Sequence, residues 1–133
     1  MALRPSDYWR DQVAEQARGL ADGTVDVEDA HLAQLFPDAL LDITDTTLEC
    51  FEAELRALVL RTDEAVMDTV RRVVLALNAI NTQFGGGAYE TAERELLCDY
   101  IDQTLTERGI DVPALAARQG LGSYEITDEW RDW

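Results

Sequence analysis

Three carboxylates, Glu95, Asp99 and Asp102, follow one another at spacings of four and three residues. On an α-helix this spacing places them on one face, because seven residues make nearly two turns. Such a row binds Ca²⁺ or Mg²⁺, pairs with arginines of a partner protein, or simply faces solvent. Trp130 and Trp133, three residues apart, are candidates to dock on a partner or to fold back over the protein. We predict these five residues as a partner-binding set.

Other residues that could support catalysis or metal binding occur singly. Glu28-x-x-His31 is half of the di-iron signature of helical bundles, and His31 is the only histidine, so a full site needs a second copy of the chain. The chain contains no lysine, which excludes Schiff-base and P-loop lysine chemistry. Cys50 and Cys98 are isolated in sequence. We predict no catalytic residue, no metal ligand and no cofactor, with a carboxylate-based metal protein as the alternative.

Three consecutive glycines, residues 85–87, precede a helix start and raise the question of a phosphate-binding loop. Such a loop needs a preceding strand and usually a following lysine, and neither is present. Glu90 and Glu93 crowd the start of the next helix, where carboxylates complement the helix dipole and repel phosphate. The sequence therefore predicts a helix–helix turn, with Thr91 as the N-cap residue.

The segment after these glycines resembles one found in small, acidic, helical bacterial proteins of unknown function. The resemblance is a loose Glu-Thr-x-Glu-Arg-Glu-x-Leu pattern, matched here by Glu90, Thr91, Glu93, Arg94, Glu95 and Leu97. Such proteins are sometimes encoded near toxin systems, so the resemblance implies an immunity-like role. It carries no catalytic residue to this chain.

The net charge constrains the class of partner. With 27 acidic and 11 basic residues, the chain carries a formal charge of −16, and the acids are spread along its length without an acidic tail. This field repels nucleic acid and anionic membranes and attracts basic proteins. We predict a basic protein partner, with a nucleic-acid mimic, a homodimer, and a charge that serves only salt tolerance as open alternatives.

The N-terminal stretch lacks the apolar segment of a secretory signal, and the longest apolar run covers only Val73–Leu77. Isolated cysteines in such a chain are typical of reduced thiols. These observations predict a cytoplasmic protein.

The apolar residues repeat at helical spacing throughout, which predicts an all-α fold: a compact bundle of five or six helices in a single domain, residues 1–133. The helices predicted at 63–84 and 92–108 form its core pair. Leu96 and Leu97 are expected to face inward in the second of these, which ends at Gly109 in a Schellman arrangement closed by Ile110. Asn78 and Asn81, near the end of the first, are expected to be exposed or to cap it.

One further helix start is predicted upstream. Thr46-x-x-Glu49 has the pattern of a capping box, in which each side chain accepts a hydrogen bond from the backbone N–H of the other residue. We therefore expect a helix to begin at Thr46 and to bury Leu48, Phe51 and Leu55 at helical spacing.

Overall fold

The computed structural model describes residues 2–133, with Asp29 described in its backbone only. These residues contain no strand, and the predicted all-α bundle is confirmed. They form six α-helices and a short 3-10 turn at Val27–Asp29; the helices are α1 (Pro5–Asp22), α2 (Leu32–Leu35), α3 (Asp38–Ala57), α4 (Asp63–Gln83), α5 (Thr91–Glu107) and α6 (Val112–Arg118).

The core lies mainly between α3 and α4. These helices are joined by a short connection, and α4 packs most extensively on α3 rather than on α5 as the sequence predicted. The reason is the length of α3, which presents apolar side chains along five turns, including Leu41, Leu48 and Leu55. Helix α5 completes the core with a buried stripe of Leu97, Tyr100, Ile101, Thr104 and Leu105.

Two predictions about helix ends have opposite outcomes. The capping box at Thr46 and Glu49 is wrong, because both residues lie inside α3, which begins directly after Pro37. The Schellman end of α5 is confirmed: Gly109 has a φ of 81°, and the amide of Ile110 donates to the carbonyl of Leu105 at 3.1 Å.

The glycine segment is a helix–helix turn, as predicted, and hydrogen bonds from the side chain of Asn81 hold it in place. This side chain is 5% exposed and bonds to the segment after α4, so the exposed or capping role expected from the sequence is wrong. Its Oδ1 accepts from the amides of Ala88 and Tyr89 at 2.9 and 3.3 Å, and its Nδ2 donates to the carbonyl of Gly86 at 3.3 Å. The N-cap position of α5 is occupied by Glu90, whose side chain makes no capping hydrogen bond, rather than by Thr91, which already belongs to the helix. Asn81 thus fixes where α5 begins.

The N-terminal residues are fastened to α3 and α5 by a half-buried polar cluster. The Arg4 guanidinium donates to Glu52 at 2.8 Å and to Asp45 at 3.2 Å, and the Tyr100 hydroxyl also donates to Glu52. Burial raises the pKa of Glu52, but the bonds from Arg4 and Tyr100 outweigh that effect, so the net pKa is lowered. Glu52 is therefore a carboxylate whose ionised form stabilises the fold.

We expect Glu52→Gln to lower the free energy of unfolding by about 1 kcal/mol at neutral pH, because it weakens three charge-assisted hydrogen bonds, two from Arg4 and one from Tyr100. A lowered folded pKa gives stability that is present above the unfolded value and lost as pH falls through the folded value. The deficit should therefore shrink below about pH 4. Urea unfolding at several pH values measures it. Glu49→Gln, exposed on the same helix, is the control, and an equal deficit in both variants would contradict the assignment.

Candidate functional site

A surface depression of about 380 Å³ lies between α5 and the segment that follows α6. Its α5 side carries the predicted carboxylates, and its other wall comes from residues in the last turn-rich part of the chain. The lining residues, here called the acidic depression, are Arg94, Glu95, Cys98, Asp99, Asp102, Tyr124 and Arg131. The structure thus brings three of the five predicted partner-binding residues into one concave surface.

The three carboxylates, here called the α5 carboxylate row, differ in burial. Glu95 and Asp99 are exposed, whereas Asp102 is half-buried. None of the ion pairs among residues 2–133 involves Glu95, Asp99 or Asp102. Burial, and secondarily repulsion by Asp99, raises the pKa of Asp102 to about 6. Arg94 and Arg131 line the same depression, but neither forms an ion pair with these three carboxylates.

Arg131 forms the opposite wall, and its guanidinium is held by neighbours on that wall and by Cys98 of α5. Its Nη1 lies 3.2 Å from Asp128, 3.2 Å from the Thr127 hydroxyl and 3.2 Å from Cys98 Sγ. The guanidinium carbon also lies 5.6 Å from the centre of the Trp133 ring. The ion pair of Arg131 is thus with Asp128 on its own wall and not with the carboxylate row.

The C-terminal wall is held in place by Asn78 of α4. The Asn78 Nδ2 donates to the carbonyl of Trp130 at 2.6 Å, and its Oδ1 accepts from the amide of Asp132 at 2.9 Å. This half-buried amide replaces the solvated or capping role expected from sequence. Together with Arg131, it positions the wall against α5.

The two tryptophans of the predicted partner-binding set fold back onto the protein. Trp133 is 8% exposed and packs edge-on against Tyr89, with ring centres 5.9 Å apart. Tyr89 in turn stacks on Trp9, so an aromatic chain links the C-terminal segment to α1. Trp130 is half-buried against the same core. Neither tryptophan ring lines the acidic depression, because both pack against the core.

Sequence reasoning missed Tyr124 as a site residue. Its ring is 84% exposed at the rim of the acidic depression. An aromatic face beside carboxylates is suited to an arginine or lysine side chain, which gains both a cation–π contact and an ion pair. No sequence signal separates Tyr124 from the other tyrosines, since only the path of the last segment brings it near α5.

The residues considered for metal binding or redox chemistry lie elsewhere. Glu28 and His31 are both exposed, beside the short helix α2. Among the side chains that the structure describes, which leave out that of Asp29, no three of histidine, cysteine, aspartate and glutamate come together in a way that could hold a metal ion. Cys50 and Cys98 are both free thiols rather than a disulfide.

No family model matches this chain, and no curated protein or solved structure is significantly similar to it. In the part of the chain that the structure describes, none of the helices has the length and hydropathy to cross a bilayer. A functional assignment must therefore come from the chemistry of the acidic depression.

Proposed function

We propose that this protein is an acidic protein-interaction module that binds a basic partner at the acidic depression, in the manner of an inhibitor or an immunity protein. The observation that supports this most is the α5 carboxylate row: three acids without an internal ion pair, one of them half-buried, beside an exposed tyrosine. Half-buried charges are costly unless they are paired, so a row of this kind is suited to cations from outside.

The chemistry of recognition follows from the lining residues. An arginine of the partner can bond to Asp99 and Asp102 while its guanidinium plane lies on Tyr124. The overall charge of −16 speeds the approach of a basic protein, and the local contacts hold it. A bound cation favours the ionised form of Asp102, so binding releases a proton near pH 6 and weakens as pH falls below that value.

The proposal is tested with a fluorescent peptide of about twelve residues that alternates arginine and serine. We expect the triple variant Glu95→Gln, Asp99→Asn, Asp102→Asn to bind this peptide about tenfold more weakly than the natural chain. Fluorescence anisotropy at low salt measures the dissociation constant. We expect this loss of affinity because the substitutions remove the unpaired acids that face the depression.

A charge-matched control separates this site from the general field of the protein. Asp26→Asn, Glu49→Gln and Asp68→Asn remove the same number and types of acids at exposed positions on other elements. We expect this control to lose less than about threefold in affinity, since a distributed charge acts mainly on the association rate. Equal losses in the two triple variants would mean that only net charge matters, and the proposal would fail.

A further inference from the structure

An apolar groove adjoins the acidic depression on the same helix. It has a volume of about 220 Å³ and is formed by the start of α1 and the outer side of α5. Its lining residues, here called the α1–α5 groove, are Leu3, Pro5, Tyr8, Leu96, Asp99, Tyr100 and Gln103. Asp99 lines both features, so the groove and the depression form one continuous surface.

The groove exposes apolar side chains that a helix would ordinarily bury. Leu3 is 76% exposed, Tyr8 50% and Leu96 37%. The expectation that Leu96 faces inward is wrong, because the buried stripe of α5 begins at Leu97 and Leu96 lies about 100° around the helix from it. Neighbouring exposed apolar residues rimmed by charge are typical of protein interaction surfaces.

We propose that the α1–α5 groove and the α5 carboxylate row together bind an amphipathic helical segment of the partner, with aliphatic side chains in the groove and arginine or lysine over the carboxylates. This deepens the proposed function and rests on it. Charge complementarity identifies the occupant, because any ligand that fills the groove meets Asp99 at its edge and Glu95 and Asp102 beyond it.

Charge repulsion disfavours a second copy of this chain as the occupant of the groove. A symmetric contact across α5 would place the two carboxylate rows close to each other, in molecules that each carry a charge of −16. The run from Glu95 to Asp102 rises about 10 Å, so two turns of a partner helix match it. The required pattern is therefore aliphatic residues three or four apart, with basic residues on the adjoining face.

The test is a selection from a random peptide library of about 16 residues displayed on phage, run against the natural chain after depletion on the α5 triple variant. Enrichment of basic peptides with aliphatic residues three or four apart is the expected result. Basic peptides without that spacing would overturn the groove proposal and leave the proposed function standing. Apolar peptides without basic residues, or no enrichment, would overturn both.

An enriched peptide then tests the groove directly. Leu96→Ser should weaken its binding about tenfold, because the aliphatic side chain loses its apolar contact. Leu75→Ser is the matched control, since Leu75 is 40% exposed on α4, and its affinity should match that of the natural chain. A version of the peptide with serine at the aliphatic positions should bind the natural and Leu96→Ser proteins equally. A Leu96→Ser protein that binds the original peptide as well as the natural chain does would contradict the proposal.

Discussion

Asn81→Leu is expected to lower the free energy of unfolding by about 3 kcal/mol, the largest effect of a single substitution that we predict. Leucine fills a similar space but removes the acceptor for the amides of Ala88 and Tyr89 and the donor to Gly86. Both amides belong to buried residues and would be left unpaired. Urea unfolding gives the free energy, and hydrogen exchange should show faster exchange at Ala88 and Tyr89.

The control for this substitution is Ala79→Leu, on the exposed side of the same helix, which should change stability by less than about 0.5 kcal/mol. If Asn81→Leu were as stable as the control, the amide of Asn81 would not be what orders the glycine turn. The origin of α5, and with it the position of the carboxylate row, would then need another explanation.

Asp102→Asn is expected to do the opposite and raise the free energy of unfolding by about 1.5 kcal/mol at pH 7.5, after allowance for the partial exposure of this group. The folded pKa is raised, so the folded protein binds the proton more tightly and loses stability as pH rises from about 4 through about 6. Asparagine resembles the protonated acid and avoids that loss. The gain should vanish below about pH 4, where both proteins are neutral at this position.

Asp68→Asn, exposed on α4, makes the same chemical change and relieves the same general repulsion. We expect it to stabilise the protein by less than about 0.5 kcal/mol. A substitution that stabilises the fold and weakens partner binding is characteristic of a functional site. Identical unfolding curves for the two variants across this pH range would show that Asp102 carries no special cost.

Much of the fold was predictable because it depends on local pattern. The apolar spacing of α4 and α5 predicted both helices to within one residue at each end, and Gly109 with Ile110 predicted where α5 stops. The capping box at Thr46 misled because the same residues fit inside an uninterrupted helix, and Pro37 was the true start signal. Local patterns do not say which of two compatible helix starts the rest of the fold selects.

The site was only partly predictable, because most of it depends on contacts between distant residues. The spacing of Glu95, Asp99 and Asp102 on one helical face was readable, but the wall that the C-terminal segment places opposite them was not. That wall is fixed by Asn78, whose partners lie 52 and 54 residues away. The depression, unlike the helix that carries it, is a property of the tertiary structure.

If Asp102 binds a cation of the partner, the pKa of its carboxyl group must change when the complex forms. Carbon-13 NMR titration of the side chain, with and without a saturating amount of the arginine–serine peptide, measures that pKa in both states. We expect a value near 6 in the free protein and a fall towards the ordinary aspartate value of about 3.9 in the complex. An ordinary value in the free protein, or a raised value that the peptide leaves unchanged, would contradict this expectation.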